Sequence, residues 1–247
     1  MLLGMLTLLW LLSLRLRDCS IVDIFWGMGF VGIAWLGFVY GQGAPLRKLW
    51  LVMLTTVWGV RLSGYLAWRN LGKVEDPRYQ AMRKRHGKQW PWRSFFVVFL
   101  LQGALIFLIS LPLQVAMSLP TPAELGVVDA LGVLLVLSGT AWEGIADLQL
   151  ATWKRSPANR GLVMTAGLWR YTRHPNYFGD FLVWWGLFCG AAATGTGLWT
   201  VLSPLVMSLL LLRVSGVPLL EQAMQSRPGY AEYVRRTSAF FPRPPRK

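Results

Sequence analysis

Long apolar runs, separated by shorter polar stretches, dominate the sequence. Seven such runs lie near residues 1–14, 21–40, 48–69, 94–117, 125–150, 176–195 and 197–215. Most of them approach the roughly 20 apolar residues that a helix needs to cross a bilayer. The pattern predicts an all-α, polytopic membrane protein with about seven transmembrane helices. The last two runs, which only a few residues separate, would also suit a re-entrant pair.

The first apolar run has the length of a secretory signal peptide but not its other features. It lacks a basic segment at its start and a small-residue cleavage site at its end. Arg15 and Arg17 follow the apolar run instead, and such bases keep their end of a helix in the cytoplasm. We therefore expect an uncleaved first helix with its N-terminus outside.

The basic residues fall almost entirely on alternate loops. Apart from Arg47, Lys48 and Arg61, all 25 Lys and Arg residues lie in four segments, namely 15–20, 69–93, 151–175 and 213–247. Cytoplasmic loops of membrane proteins carry this kind of excess positive charge. The pattern predicts that these four segments, and with them the C-terminus, face the cytoplasm.

Composition narrows the class of protein further. Hydrophobic residues make up 54% of the chain and charged residues only 15%, whereas soluble proteins are nearer a quarter charged. The net charge of +14 follows the loops between apolar runs, so topology explains it better than nucleic-acid binding does. Two Cys and two His exclude a disulfide framework and a multi-histidine metal site. We expect a single membrane domain over residues 1–247.

Five ionisable residues lie inside the apolar runs, where each costs roughly 2.5–3.5 kcal/mol to insert. They are Asp23, Arg61, Glu143, Asp147 and Asp180. Residues of this kind mark functional sites in membrane proteins more often than chance would suggest.

Glu143 and Asp147 are four residues apart, so they share one face of a helix. Their carboxylates suit either of two arrangements. One is a structural ion pair with Arg61 or another base. The other is a cytoplasm-facing site for a polar ligand, because carboxylates accept several hydrogen bonds from ribose hydroxyls or an amide.

Arg61, Tyr65 and Arg69 form a second polar face at the same spacing. The Tyr65 hydroxyl needs a hydrogen-bond partner inside a membrane, and Asp23 is a candidate. A tyrosine and a carboxyl group together can donate a proton or a hydrogen bond to a substrate carbonyl. The alternative is that Asp23 pairs with Arg61 for packing alone.

The segment from Lys154 to Asp180 is the most polar part of the chain. Its bases are Lys154, Arg155, Arg160, Arg170 and Arg173. Pro175 suits the first position of a helix, which puts Asn176 and Asp180 on one helical face. Bases, a helix N-terminus and aromatic rings suit a phosphate-bearing ligand with a flat ring. Lipid headgroup contact would explain the bases, but not the entry of Asn176 and Asp180 into the membrane.

The sequence GLWRYTRHPNYFGD over residues 167–180 resembles the C-terminal region of the steroid 5-alpha-reductase family, in particular its bacterial branch. Shorter stretches elsewhere agree with it: Val22-Asp23, Trp58 to Leu62, Glu75 to Tyr79, Glu143 to Gln149 and Ser215 to Glu221. The likeness extends over nearly the whole chain from about residue 20.

The resemblance implies an NADPH-dependent reductase of the C=C bond of an enone, typically a 3-oxo-delta-4 steroid or a similar lipid. Its substrate side would be about residues 1–118, with Tyr65 and Asp23 catalytic and Trp26, Arg61 and Arg69 contacting substrate. Its cofactor side would be about 125–247. The implied NADPH contacts are Glu143, Asp147, Lys154, Arg155, Asn159, Arg160, Trp169, Arg170, Tyr171, Arg173, His174, Asn176, Tyr177 and Asp180. A monomer in a bacterial inner membrane is the expected setting.

Two other functions remain open at this point. Arg173-His174-Pro175 followed by Tyr177 is also similar to a motif of isoprenylcysteine carboxyl methyltransferases, which bind S-adenosylmethionine. The basic cluster over 154–173 favours the reductase, because S-adenosylmethionine carries no phosphate. A lipid-binding or transport protein is the third possibility, although the chain lacks the internal repeat common in transporters.

Overall fold

A computed structural model describes residues 1–246, and it confirms the expected all-α class. The described residues form helices joined by short loops, without a β-strand among them. An isolated parallel bridge between Thr172 and Ser238 is the one extended pairing in this part of the chain. The chain divides into two compact units, Met1–Glu124 and Leu125–Lys247.

The first unit holds seven α-helices. They are α1 (Leu2–Leu16), α2 (Ile21–Tyr40), α3 (Pro45–Asn70), α4 (Pro77–His86), α5 (Trp90–Ser94), α6 (Leu101–Ile109) and α7 (Leu111–Ser118). A 3-10 turn over Gly87–Gln89 joins α4 to α5, and a π-helical stretch over Phe95–Leu100 joins α5 to α6.

The second unit is built on two long helices and a set of shorter ones. Its α-helices are α8 (Val127–Arg155), α9 (Pro175–Ala192), α10 (Leu202–Leu209), α11 (Val217–Met224) and α12 (Tyr230–Arg236). Turns of 3-10 helix cover Pro157–Asn159, Gly167–Arg170 and Thr196–Val201, and a π-helical stretch covers Leu210–Val214.

Five helical stretches in the described chain are long and apolar enough to cross a membrane, which fits a multi-pass membrane protein. They are Ile21–Tyr40, Pro45–Asn70, Pro77–Ile109, Val127–Arg155 and Thr196–Met224. The expected count of seven is not confirmed. Helix α1 has only 15 residues, and α9 has 18 but begins with the polar turns that carry Asn176 and Asp180.

In the first unit, α2 and α3 meet through backbone atoms. A Cβ atom added to Gly59 would lie 2.7 Å from the Gly27 carbonyl oxygen, so only glycine fits at this crossing. The Ser63 hydroxyl accepts a hydrogen bond from the Met28 amide beside it. Small residues at helix crossings let membrane helices approach closely and gain van der Waals contact.

The second unit repeats this device between α8 and α9. Cβ atoms added to Gly139 and Gly179 would each lie 2.6 Å from the other residue's carbonyl oxygen. Seven residues further along α9, a Cβ on Gly186 would lie 2.8 Å from the Gly132 carbonyl oxygen. Glycines seven residues apart lie on one face, so the two helices run in contact over about two turns of each.

We expect Gly179→Ala to destabilise the second unit by about 1–3 kcal/mol, because the added methyl group must push two helix backbones apart. Thermal unfolding of the detergent-purified protein would show this as a lower midpoint. Gly64→Ala is the matched control, because a Cβ there has no atom within 4 Å. An unchanged midpoint in Gly179→Ala would contradict the close contact of α8 with α9.

Candidate functional site

The glycine contact between α8 and α9 brings buried acidic residues of the two helices together. Glu143 and Asp147 on α8 are each 4% exposed, and Asp180 on α9 is 8% exposed. A Cβ on Gly179 would lie 2.7 Å from the backbone nitrogen of Glu143, which puts Asp180 next to that turn of α8. The residue pairs singled out on the two helices therefore form one cluster.

Asn176 is the amide member of this cluster. Its Nδ2 lies 3.4 Å from Asp147 Oδ1, and the acidic oxygen fixes which end of the amide points toward α8. Its Oδ1 is buried and accepts no hydrogen bond from any residue in the range 1–246. A buried carbonyl oxygen without a donor costs roughly 1–3 kcal/mol. The site can therefore accept a hydrogen bond from a ligand N–H or O–H group.

The start of α9 is held by a clamp on Glu221. Arg173 Nη2 lies 2.6 Å from Glu221 Oε1, and Arg173 Nη1 donates to the carbonyls of Thr237, at 2.6 Å, and Val234. Arg173 was expected at a cofactor phosphate. Its guanidinium is instead buried and bonded within the protein, where it ties the residues before α9 to α11 and to the end of α12.

His174 takes part in the same clamp. Its Nε2 lies 3.2 Å from Glu221 Oε1, and its ring stacks on Tyr177 at 5.5 Å between ring centres. Burial lowers the pKa of His174 below its ordinary value, although the hydrogen bond and charge of Glu221 oppose this shift. A neutral His174 then donates from Nε2 to Glu221, and its buried Nδ1 has no partner among the described residues.

The remaining bases of the expected phosphate cluster lie at the surface. Lys154, Arg155, Arg160 and Arg170 are all exposed. Asn159, also expected at the cofactor, donates from Nδ2 to the Trp153 carbonyl at 2.7 Å. It completes the C-terminal end of α8 instead of presenting its amide to a ligand.

The 3-10 turn over Gly167–Arg170 is docked onto α8 by two hydrogen bonds. Trp169 Nε1 donates to the Ala146 carbonyl at 3.1 Å, and the Leu168 amide donates to Gln149 Oε1 at 2.9 Å. Gly167 has a φ of +61°, and any side chain there would strike Gln149. Trp169 is only 6% exposed and anchors this turn to α8. Tyr171, two residues later, is exposed at the surface.

In the first unit, Asp23 has partners other than the expected ones. Its Oδ1 accepts a hydrogen bond from the Tyr79 hydroxyl at 2.8 Å, and its Oδ2 accepts one from Arg78 at 2.9 Å. The predicted pairing of Asp23 with Tyr65 or Arg61 is therefore wrong. The Tyr65 ring lies 5.7 Å from the Arg69 guanidinium instead.

The other expected substrate contact in this unit, Trp26, donates from Nε1 to Gln102 Oε1 at 2.6 Å. Arg61 lies one helical turn before Tyr65 on α3 and is half-buried. Arg61, Tyr65 and Arg69 therefore share a face of α3, as expected. Asp23, the carboxylate assigned to that face, bonds Arg78 and Tyr79 instead.

The partners of Asp23 come from the segment that leads into α4. Asp76 caps α4 by accepting a hydrogen bond from the Arg78 amide at 2.9 Å, and its own amide donates to the Ser20 hydroxyl at 2.8 Å. Burial opposes ionisation of Asp76, but the hydrogen bonds from Arg78 outweigh it and hold the pKa of Asp76 below its ordinary value.

A neighbouring ion pair reinforces this attachment. Arg83 lies 2.7 Å from Glu75 Oε1, which also accepts a hydrogen bond from the Cys19 amide at 2.8 Å. Burial, with the nearby charge of Glu75, raises the pKa of the Cys19 thiol to about 11. The thiol is therefore protonated and unreactive at neutral pH.

Sequence reasoning missed Arg78 and Tyr79 as site residues, although the motif that contains them had been singled out. The dipeptide Asp76-Pro77 indicates the start of a helix, because an acidic N-cap before a proline is typical there. Tyr79 lies in the first turn of the helix that begins there, and its hydroxyl reaches Asp23 on α2.

Comparison with known proteins gives a family but no activity. Residues 9–237 match the family described as "Protein of unknown function (DUF1295)". The match covers most of the chain, so the chain belongs to this family. It is also 26% identical over 264 residues to an uncharacterized protein, C594.04c, of Schizosaccharomyces pombe. That alignment covers 95% of this chain and 76% of the yeast protein. No solved structure matches.

We expect stability to fall as the pH drops below about 6.5, because the unfolded chain then protonates His174 and the folded chain resists it. One such proton contributes a slope of at most about 1.4 kcal/mol per pH unit. Thermal unfolding in detergent from about pH 5 to 8 would measure it. His174→Gln should flatten the slope, and His86→Gln is the control. Equal slopes in wild type and His174→Gln would contradict a neutral, buried His174.

Proposed function

We propose that this DUF1295 protein is a membrane-embedded, NADPH-dependent reductase of an enone C=C bond, with a 3-oxo-delta-4 steroid or similar lipid as substrate. The observation that carries the proposal is the buried, unsatisfied Asn176 Oδ1 beside carboxylates of two facing helices. The proposal also puts the basic loops on the cytoplasmic side of a bacterial inner membrane, where NADPH is available.

The chemistry of the α8–α9 cluster suits the nicotinamide end of NADPH. Asn176 Oδ1 would accept a hydrogen bond from the nicotinamide amide group, which is the donor it lacks. Asp147, Asp180 and Glu143 would accept hydrogen bonds from ribose hydroxyls, since ionised carboxylates are strong acceptors. When bound, NADPH supplies the hydride that the reduction requires.

The exposed bases of the second unit suit the phosphate groups of the same molecule. Lys154, Arg155, Arg160 and Arg170 would contact these phosphates. Arg173 is left out of this set, because Glu221 and two carbonyls already use its guanidinium. A basic surface also favours NADPH over NADH, because the 2′-phosphate adds negative charge.

The acid–phenol pair in the first unit suits the substrate carbonyl. Tyr79 would turn its O–H from Asp23 to the ketone oxygen, and Arg78 would keep the Asp23 carboxylate paired during this exchange. A hydrogen bond at that oxygen stabilises the negative charge that forms there when hydride reaches the β carbon. The α carbon of the resulting enolate then takes a proton from water, which completes the saturated ketone. Tyr65 is the alternative phenol for this role.

A second candidate function is an S-adenosylmethionine-dependent lipid methyltransferase. The observation in its favour is that Glu143, Asp147 and Asp180 gather negative charge, which suits a sulfonium cation. The exposed bases speak against it, because S-adenosylmethionine carries no phosphate. Binding of the two cofactors separates the candidates.

We expect NADPH to raise the thermal unfolding midpoint of the detergent-purified protein, and Asn176→Ala to weaken NADPH binding about tenfold. The loss corresponds to one hydrogen bond at a buried oxygen. Gln225→Ala, which removes an exposed amide of the same unit, is the control and should bind like wild type. Stabilisation by S-adenosylmethionine but not by NADPH would favour the methyltransferase function and overturn the reductase proposal.

We expect Tyr79→Phe to lower turnover about 100-fold or more while NADPH affinity stays unchanged, because it removes only the hydrogen bond to the ketone. Oxidation of NADPH with progesterone as a test enone would measure turnover. Tyr65→Phe is the comparison variant. If Tyr65→Phe loses turnover and Tyr79→Phe keeps it, then Tyr65 is the donor and the role given to Tyr79 is wrong.

A further inference from the structure

A groove of about 680 Å³ opens on the first unit beside the second half of α1. It takes no part in the proposed reaction. Its lining combines aromatic, apolar and basic side chains, which include Trp10, Leu14, Lys88, Gln89, Trp92 and Arg93. No acidic residue is among the residues that line it in the described chain.

The local sequence explains why two bases reach this groove. Helix α4 ends at His86, and Gly87, whose φ of +52° favours glycine, begins the 3-10 turn that carries Lys88. Helix α5 then starts at Trp90, has Pro91 in its first turn and carries Arg93. Arg93 Nη1 donates to His86 Nδ1 at 3.0 Å. This contact helps to fix the guanidinium in the lining of the groove.

Two stacked tryptophans form the apolar part of the groove. The rings of Trp10 and Trp92 lie 5.9 Å apart and within 8° of parallel. Trp10 is fixed, because its Nε1 donates to the Pro91 carbonyl at 3.0 Å. Trp92 is 68% exposed and Phe96, one turn later, is 55% exposed. Tryptophan is enriched where the acyl chains of a bilayer meet the headgroups.

We propose that this groove binds one molecule of an anionic glycerophospholipid. Its phosphate would lie between Lys88 and Arg93, which supply a point charge and a planar pair of donors. The Gln89 amide would bind headgroup hydroxyls, and the upper acyl chain would lie along Trp92. The charge of the groove carries the choice of occupant, because two cations without a carboxylate select an anionic headgroup over a zwitterionic one.

Native mass spectrometry of the detergent-purified full chain would test the proposal, with phosphatidylglycerol and phosphatidylcholine offered in separate samples. We expect wild type to retain one phosphatidylglycerol. The double variant Lys88→Ala/Arg93→Ala should bind it at least about tenfold more weakly. Trp92→Ala should weaken retention of both lipids, because it removes apolar contact and leaves the bases in place.

The matched control is Lys84→Ala/Arg85→Ala, which removes the same charge from exposed positions on α4 outside the groove. It should retain phosphatidylglycerol like wild type. Equal losses in the two double variants would mean diffuse attraction to positive charge and would overturn the site. Equal retention of the two lipids by wild type would overturn headgroup recognition. Thermal unfolding midpoints verify that all variants are folded.

Discussion

Direct contact between the backbones of α8 and α9 is the constraint on which the second unit depends. Gly139 and Gly179 let each helix meet the other's carbonyl oxygens without an intervening side chain. Such closeness brings side chains of normal length into one small buried volume, so Asn176 reaches Asp147 across the crossing. Burial then strengthens each polar interaction there, because little water screens the charges. If the two helices lay further apart, Asn176 and Asp147 would not be in contact.

The first unit solves a similar problem by a different route. Asp23 is a carboxylate inside an apolar helix, and its partners arrive from a segment more than 50 residues later in the chain. Asp76 and Glu75 fasten that segment to the residues before α2, so Arg78 and Tyr79 meet Asp23 in a fixed arrangement. The carboxylate of one helix is thus satisfied by two side chains from the first turn of α4, which the preceding loop holds in place.

Helical periodicity predicted which residues share a face, Glu143 with Asp147 and Asn176 with Asp180, but not that the two faces meet, which depends on the glycine contact. It failed for Asp23, whose partners depend on how the chain turns back after α3. It failed also for Arg173, since a count of bases does not reveal which base an acid 48 residues away will hold. The runs assigned to α1 and α9 are not confirmed as spans, because α1 has only 15 residues and α9 begins with a polar turn.

The clamp at Arg173 also sets an order of events during synthesis. Two of the carbonyls that Arg173 binds belong to residues 61 and 64 positions further along the chain. The chain is synthesised in order, so the residues of α9 exist well before Val234 and Thr237 are made. Until they emerge, the buried guanidinium lacks two of its acceptors. The beginning of α9 therefore reaches its final form only after translation has passed these residues, and a stalled chain would carry the helices without a finished site.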